Sequence, residues 1–181
     1  MCIVEVGGEK IGRLQATELP MENVSSVHCM ASGWDLAVNN RNGQLALVVE
    51  VKCKTNVSQE WAAKLRRNIL AHGTFAKAPY FLLVFPDRFY LWSNVGAFQE
   101  QSEPSYMIDA SPILQPYFQR AGVTNDQISR QSLELIVASW LGEIIYSEKP
   151  PEALDDSQRW LIDSGLYAAL AGGKFQREAA A

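Results

Sequence analysis

The sequence predicts an α/β domain, a central mixed sheet flanked by helices, with a C-terminal helical extension. Three observations predict it. Over residues 34–92, apolar runs follow the order strand, strand, helix, strand, strand, a pattern that builds a mixed sheet with helices packed on it. The length of 181 residues suits one hydrophobic core, and the 48% hydrophobic and 20% charged composition excludes a disordered chain. Beyond residue 126, apolar residues recur at helical spacing. Breaks at 99–112, with Pro104 and Pro112, and at 147–156, with Pro150 and Pro151, divide the chain. They give a body at 1–98, a connecting segment at 99–125 and C-terminal helices over 126–181.

Taken in order, residues 2–14 read as a short hairpin around Gly7 and Gly8, and 17–24 as a helical turn interrupted by Pro20. Residues 34–38 and 44–53 are Val- and Leu-rich strands, and Asn42-Gly43 between them is a two-residue hairpin signal. Residues 57–72 read as a helix. Trp61, Leu65 and Ile69 recur every fourth position beside Ala62, and Asn56 and Gln59 have the spacing of a capping box. Residues 80–85 and 88–92 form two more strands turned at Pro86-Asp87. Their aromatics, Phe81, Phe85, Phe89, Tyr90 and Trp92, read as core rather than as a base-stacking surface.

In 127–146, Ile128, Leu133, Ile136, Val137, Trp140, Leu141, Ile144 and Ile145 form a broad apolar helical face. Residues 154–171 repeat the pattern through Leu154, Trp160, Leu161, Leu166, Tyr167 and Leu170, with Asp155, Asp156 and Ser157 as candidate caps. These faces must be buried, either on the outer side of the sheet or against a second copy in a homodimer.

Several function classes fall away. No apolar run approaches the length of a membrane span, and the N-terminal stretch lacks the basic start and apolar run of a secretory signal, so the expected setting is cytoplasmic. Cys2, Cys29 and Cys53 have no zinc spacing, and Cys53 falls on the apolar strand face as core. His28 and His72 form no ligand pair. Neither a phosphate loop of the GxxxxGK[ST] type nor a GxSxG elbow occurs, so nucleotide-driven motors and serine hydrolases are not supported.

The hairpin carries the sharpest inference. A two-residue turn at Asn42-Gly43 sets Arg41 opposite Gln44 and, carried outward, Asp35 opposite Glu50. Strand alternation adds Lys52 to the same face. Ala37, Ala46 and Val48 share that face. Trp34, Leu36 and Val38 lie on the other, against Leu47, Val49 and Val51. Two opposed carboxylates in apolar surroundings are unfavourable, and a divalent cation such as Mg²⁺ resolves the conflict. A bound cation also acidifies water and offsets charge on a phosphate oxygen. Lys52 is then placed to orient the attacking water or to neutralise the phosphate.

Asp35, fourteen residues, then Glu50-Val51-Lys52 at the end of an apolar strand followed by a helix, resembles the PD-(D/E)XK nuclease superfamily, the restriction-endonuclease-like fold. The resemblance spans roughly residues 20–92. It implies that Asp35 and Glu50 hold one or two Mg²⁺ or Mn²⁺ ions, that the Val51 carbonyl is a further ligand, and that Lys52 assists the water nucleophile. Trp34 stands where the family name has Pro. Many members add a Glu from a preceding helix, for which Glu18 and Glu22 are the candidates. Some helicase-associated branches pair a Gln with a Tyr four residues on. Gln59 is present, but Ala63 replaces the Tyr, so that branch is not assigned and Gln59 reads first as a cap.

Charge bears on the partner. The chain carries −4 overall, yet residues 50–77 hold six basic side chains against two acidic ones, a local +4 that leaves −8 for the rest. Lys54, Lys64, Arg66 and Arg67, on the solvent flanks of the helix, are the candidate nucleic-acid contacts. The expected function is metal-dependent hydrolysis of phosphodiester bonds in nucleic acid, DNA ahead of RNA. The rival is a noncatalytic accessory module, binding nucleic acid or protein, that kept the fold. A third reading makes the carboxylates a structural ion-pair network.

Overall fold

The computed structural model describes residues 34–72, 78–93, 103–147 and 154–176. The expected hairpin at 2–14, the turn at 17–24, and Glu18, Glu22, Cys2, His28, Cys29 and Lys77 lie outside the described residues. The chain forms β1 (Leu36–Asn39), β2 (Leu45–Val51), α1 (Gln59–His72), β3 (Tyr80–Val84), β4 (Arg88–Ser93), β5 (Tyr106–Asp109), α2 (Ser111–Ala121), α3 (Arg130–Ile145), a 3₁₀ turn (Asp156–Gln158), α4 (Trp160–Asp163), α5 (Leu166–Leu170) and β6 (Lys174–Phe175). The six strands make one mixed sheet in the order β5-β4-β3-β2-β1-β6. Among the described residues, only β2 and β3 pair in parallel, joined through α1, as a crossover helix requires. The α/β class with a mixed sheet is therefore what the chain adopts.

Period-two alternation divides the core. Val38, Leu47, Val49, Val51, Leu82, Val84, Phe89 and Leu91 face one layer, built by α2, α3, α4 and α5. Val48, Phe81, Leu83, Phe85, Tyr90 and Trp92 face α1. The apolar faces of the C-terminal helices are buried on the sheet: Leu133, Val137, Trp140, Leu141, Ile144 and Ile145 of α3 belong to the same cluster as the strands. Phe89, Trp140 and Trp160 stack together there, with ring centroids 5.3 to 6.5 Å apart.

Local details depart from expectation. The β1–β2 turn is not the two-residue loop at Asn42-Gly43. Gly43 N–H donates to the Asn40 carbonyl (2.9 Å), and Asn40 N–H donates to the Gln44 carbonyl (2.8 Å). Arg41, Asn42 and Gly43 thus form a three-residue loop, with Gly43 in the left-handed conformation such a loop needs (φ 79°). Asn40 Oδ1 ties it down by accepting from the N–H groups of Asn42 and Gln44. This loop shifts the register by one at Asn39↔Leu45. A bulge at Ala46 restores it at Val38↔Leu47, so Leu36 still faces Val49 and Ala37 faces Val48. The bulge also turns Ala46 into the α3 layer with Leu47, away from the face expected for it.

Trp34 packs toward α1, not with Leu36 and Val38, because the regular pairing stops at Leu36. Cys53 is exposed rather than core, since β2 ends at Val51. In α1 the buried residues are Ala62, Ala63 and Arg66, while Trp61 is 39% exposed. The start of α1 is capped by Ser58, whose Oγ accepts from Trp61 N–H (3.3 Å), one residue before Gln59. The turn at Pro86-Asp87 is as expected, closed by Phe85 N–H on the Arg88 carbonyl (2.9 Å).

The polar segment read as a connector supplies β5, an edge strand on β4, and α2. Pro112 lies in the first turn of α2, where a missing N–H costs nothing. The expected helix over 154–171 is broken into three short pieces around Gly165, which takes a left-handed conformation (φ 77°).

Candidate functional site

The carboxyl end of β2 gathers the charged residues. Asp35 sits where β1 begins. Its N–H donates to the Val49 carbonyl (3.1 Å), and its Oδ2 accepts from Val51 N–H (2.7 Å), taking the place of a ladder carbonyl. This substitution aims the Asp35 side chain across the end of β2, and its side chain is only 9% exposed. Glu50, the next-to-last residue of β2, is 7% exposed and faces Leu83 in the parallel ladder. Lys52 follows the strand end, held by its N–H on the Val84 carbonyl (2.9 Å), and its Nζ pairs with Glu50 Oε1.

A fourth residue joins them. The guanidinium of Arg130, the first residue of α3, pairs with Asp35 Oδ1 across 95 positions of sequence. No local pattern marks it. The one signal is that a cation in the first turn of a helix opposes the helix dipole and gains nothing from it, so its reason for standing there must lie elsewhere. Glu134, one turn further along α3, lies within the electrostatic reach of Asp35 and Arg130.

The electrostatics follow from burial. Burial raises the Glu50 carboxyl above the usual glutamate range, and Asp35 raises it further, while the hydrogen bond from Lys52 works in the opposite direction. Burial pulls the Arg130 guanidinium down, but Asp35, Glu50 and Glu134 outweigh it and hold it above its ordinary value. Glu134 is raised by burial and then by Asp35. Cys53 is exposed, yet partial desolvation by its neighbours raises its thiol, against the pull of Arg130. The ends of Asp35, Glu50, Lys52 and Arg130 thus share one electrostatic environment.

The other expected contacts separate from this cluster. Gln59 Nε2 donates to Glu103 Oε2 (3.3 Å). Lys54 is exposed, with its Nζ 4.5 Å above the Trp61 ring. Lys64 and Arg67 are exposed on α1. Arg66 is not on the solvent flank: it is 5% exposed, with its guanidinium 5.1 Å from the Trp92 ring and 5.6 Å from Phe81. The helix turns that position onto the sheet, where the long side chain covers aromatic surface. Val51 is buried at the strand end, and its N–H serves Asp35. A cavity of about 630 Å³ lies elsewhere, between α2 and α3, lined by Pro112, Tyr117, Arg120, Trp140 and Glu143 among others.

Among the described residues, no three His, Cys, Asp or Glu side chains converge as a metal-ligand set. What converges is a pair of carboxylates, Glu50 buried and Asp35 partly buried, with two cations. Also among the described residues, no helix is long and apolar enough to cross a membrane. Comparisons with family models, curated proteins and solved structures return no match.

Proposed function

We propose that the chain is a divalent-metal-dependent nuclease with a restriction-endonuclease-like core, hydrolysing phosphodiester bonds in nucleic acid, DNA ahead of RNA, in a cytoplasmic setting. The observation that supports this reading is the meeting of Asp35, Glu50 and Lys52 at the carboxyl end of β2. Open α/β sheets commonly bind ligands at the carboxyl ends of their strands.

The donor chemistry fits Mg²⁺ or Mn²⁺. Such hard cations take one or two carboxylates and keep several waters, so a pair of carboxylates suffices. Glu50 is raised by burial and by Asp35, and a cation between them relieves that conflict. Asp35, Glu50 and the Val51 carbonyl would hold it, and Glu22 is the candidate for a further carboxylate. A divalent cation at that place supplies acidified water and charge neutralisation at phosphate. Lys52 holds a proton donor beside Glu50, from which it orients the nucleophile or stabilises charge on a phosphate oxygen. Lys54, Lys64 and Arg67 present exposed positive charge for the backbone.

One observation favours the rival reading, a noncatalytic accessory module. Arg130 on Asp35 and Lys52 on Glu50 already compensate both carboxylates. A cleavage assay with Mg²⁺ or Mn²⁺ on single-stranded, duplex and branched DNA and RNA separates the two. The nuclease reading expects cleavage by the wild type and a loss of about 100-fold or more in Lys52→Ala. Binding without cleavage of any substrate decides for the accessory module.

A further inference from the structure

We propose that Arg130 is a resident counter-ion, exchanged for the divalent cation when the carboxylate pair loads, so that the Arg130–Asp35 contact is autoinhibitory. The inference rests on the metal reading above and adds to it a residue from outside the matched motif.

Four features carry it. Arg130 engages Asp35 Oδ1, while Oδ2 is already committed to Val51 N–H. A guanidinium and a divalent cation on the same carboxylate repel one another, so loading the site requires Arg130 to withdraw. The exposures are unequal: Asp35 is 9% exposed and fixed in the strand end, whereas Arg130 is 41% exposed and can retreat into solvent. The helix gives Arg130 no reason to stay, because its first-turn position opposes the dipole. Finally, Glu134 stands four residues on, at the spacing that places two side chains on one helix face. It offers the withdrawn guanidinium a second acceptor on the same element. A purely structural ion pair needs neither the exposed partner nor the second acceptor.

The test is Mn²⁺ titration of the full chain at low ionic strength, read by thermal shift and by the magnetic-resonance signal of free Mn²⁺. Wild type, Arg130→Gln, Arg130→Lys and Asp35→Asn are compared. Arg130→Gln is expected to bind Mn²⁺ at least tenfold more tightly than wild type, and Asp35→Asn to lose binding. Equal or weaker binding by Arg130→Gln overturns the counter-ion role and leaves the metal reading standing. Absence of Mn²⁺ binding in wild type and Arg130→Gln alike overturns both.

Should Arg130→Gln fail to fold, the wild type itself decides. The Nη2 resonance of Arg130, the nitrogen that donates to Asp35 Oδ1, assigned by its loss in Arg130→Lys, is expected to pass from protected to rapidly exchanging as Mg²⁺ is added. A resonance unchanged at saturating Mg²⁺ rejects the exchange.

Discussion

Glu50 concentrates the electrostatic tension of the site in one carboxyl group. It is buried beside Asp35, and only Lys52, at 32% exposure, hydrogen-bonds to it among the described partners. Its folded-state pKa is raised, so the native protein holds this proton more tightly than the unfolded chain does. The associated stability is fully present below the ordinary glutamate range and is lost as pH rises through the raised folded value. Glu50→Gln has no such ionisation. In chelator, its melting temperature should match wild type near about pH 4 and exceed it near about pH 8. Parallel melting curves across that range would show that Glu50 does not carry the strain. Lys52, being partly solvated, tolerates the loss of its partner, so the comparison isolates the carboxylate. A buried acid that costs stability at neutral pH is a common mark of a functional group.

At the scale of the element, α1 shows that one helix can hold cations of two kinds. Arg66 lies under the helix against Phe81 and Trp92, while Lys64 and Arg67, on either side of it, are exposed. Arg66→Ala should cost about 1–3 kcal/mol in urea unfolding, through lost packing and cation–π contact. Lys64→Ala and Arg67→Ala should stay within about 0.5 kcal/mol. The contrast explains what was legible in the sequence. Apolar period four pointed to Trp61, Leu65 and Ile69 beside Ala62, and Leu65, Ile69 and Ala62 do pack on the sheet, but Trp61 stays 39% exposed while Ala63 and Arg66 are buried, because an arginine stem over aromatic rings behaves as apolar surface that no hydropathy pattern registers. The strands were legible because alternation is dense in them, and the pairing of Leu36 with Val49 was reached although the loop was misjudged. The extra loop residue and the Ala46 bulge offset each other. Asp35, Glu50 and Lys52 could therefore be placed together from register alone. Arg130 could not, since its partner lies 95 residues away and only the packing of α3 on the sheet brings it there. The elements β5 and α2 were missed for the opposite reason: Pro104 and Pro112 look like breaks, yet one precedes an edge strand and the other occupies a helix first turn.

Across the whole molecule, the net charge of −4 sets how a polyanion can be met. Acidity elsewhere repels a phosphate backbone, so contact must come from the basic region that follows β2. The structure reduces the number of cations available there. Lys52 is committed to Glu50 and Arg66 is buried, which leaves Lys54, Lys64 and Arg67 exposed among the described residues of 50–72. Three phosphate contacts correspond to a slope of log affinity against log salt of about −3 for duplex and about −2 for single strands. Fluorescence anisotropy with labelled oligonucleotides in chelator measures it directly. Lys64→Ala should weaken binding evenly across sequences and reduce the magnitude of the slope by about one. Arg66→Ala, where it remains folded, should leave the slope unchanged, because a buried guanidinium releases no counter-ion from a bound phosphate. A slope near zero would remove nucleic acid as the partner. A slope unaffected by Lys64→Ala would place the contact on another face, since α1 is then not where the backbone lies.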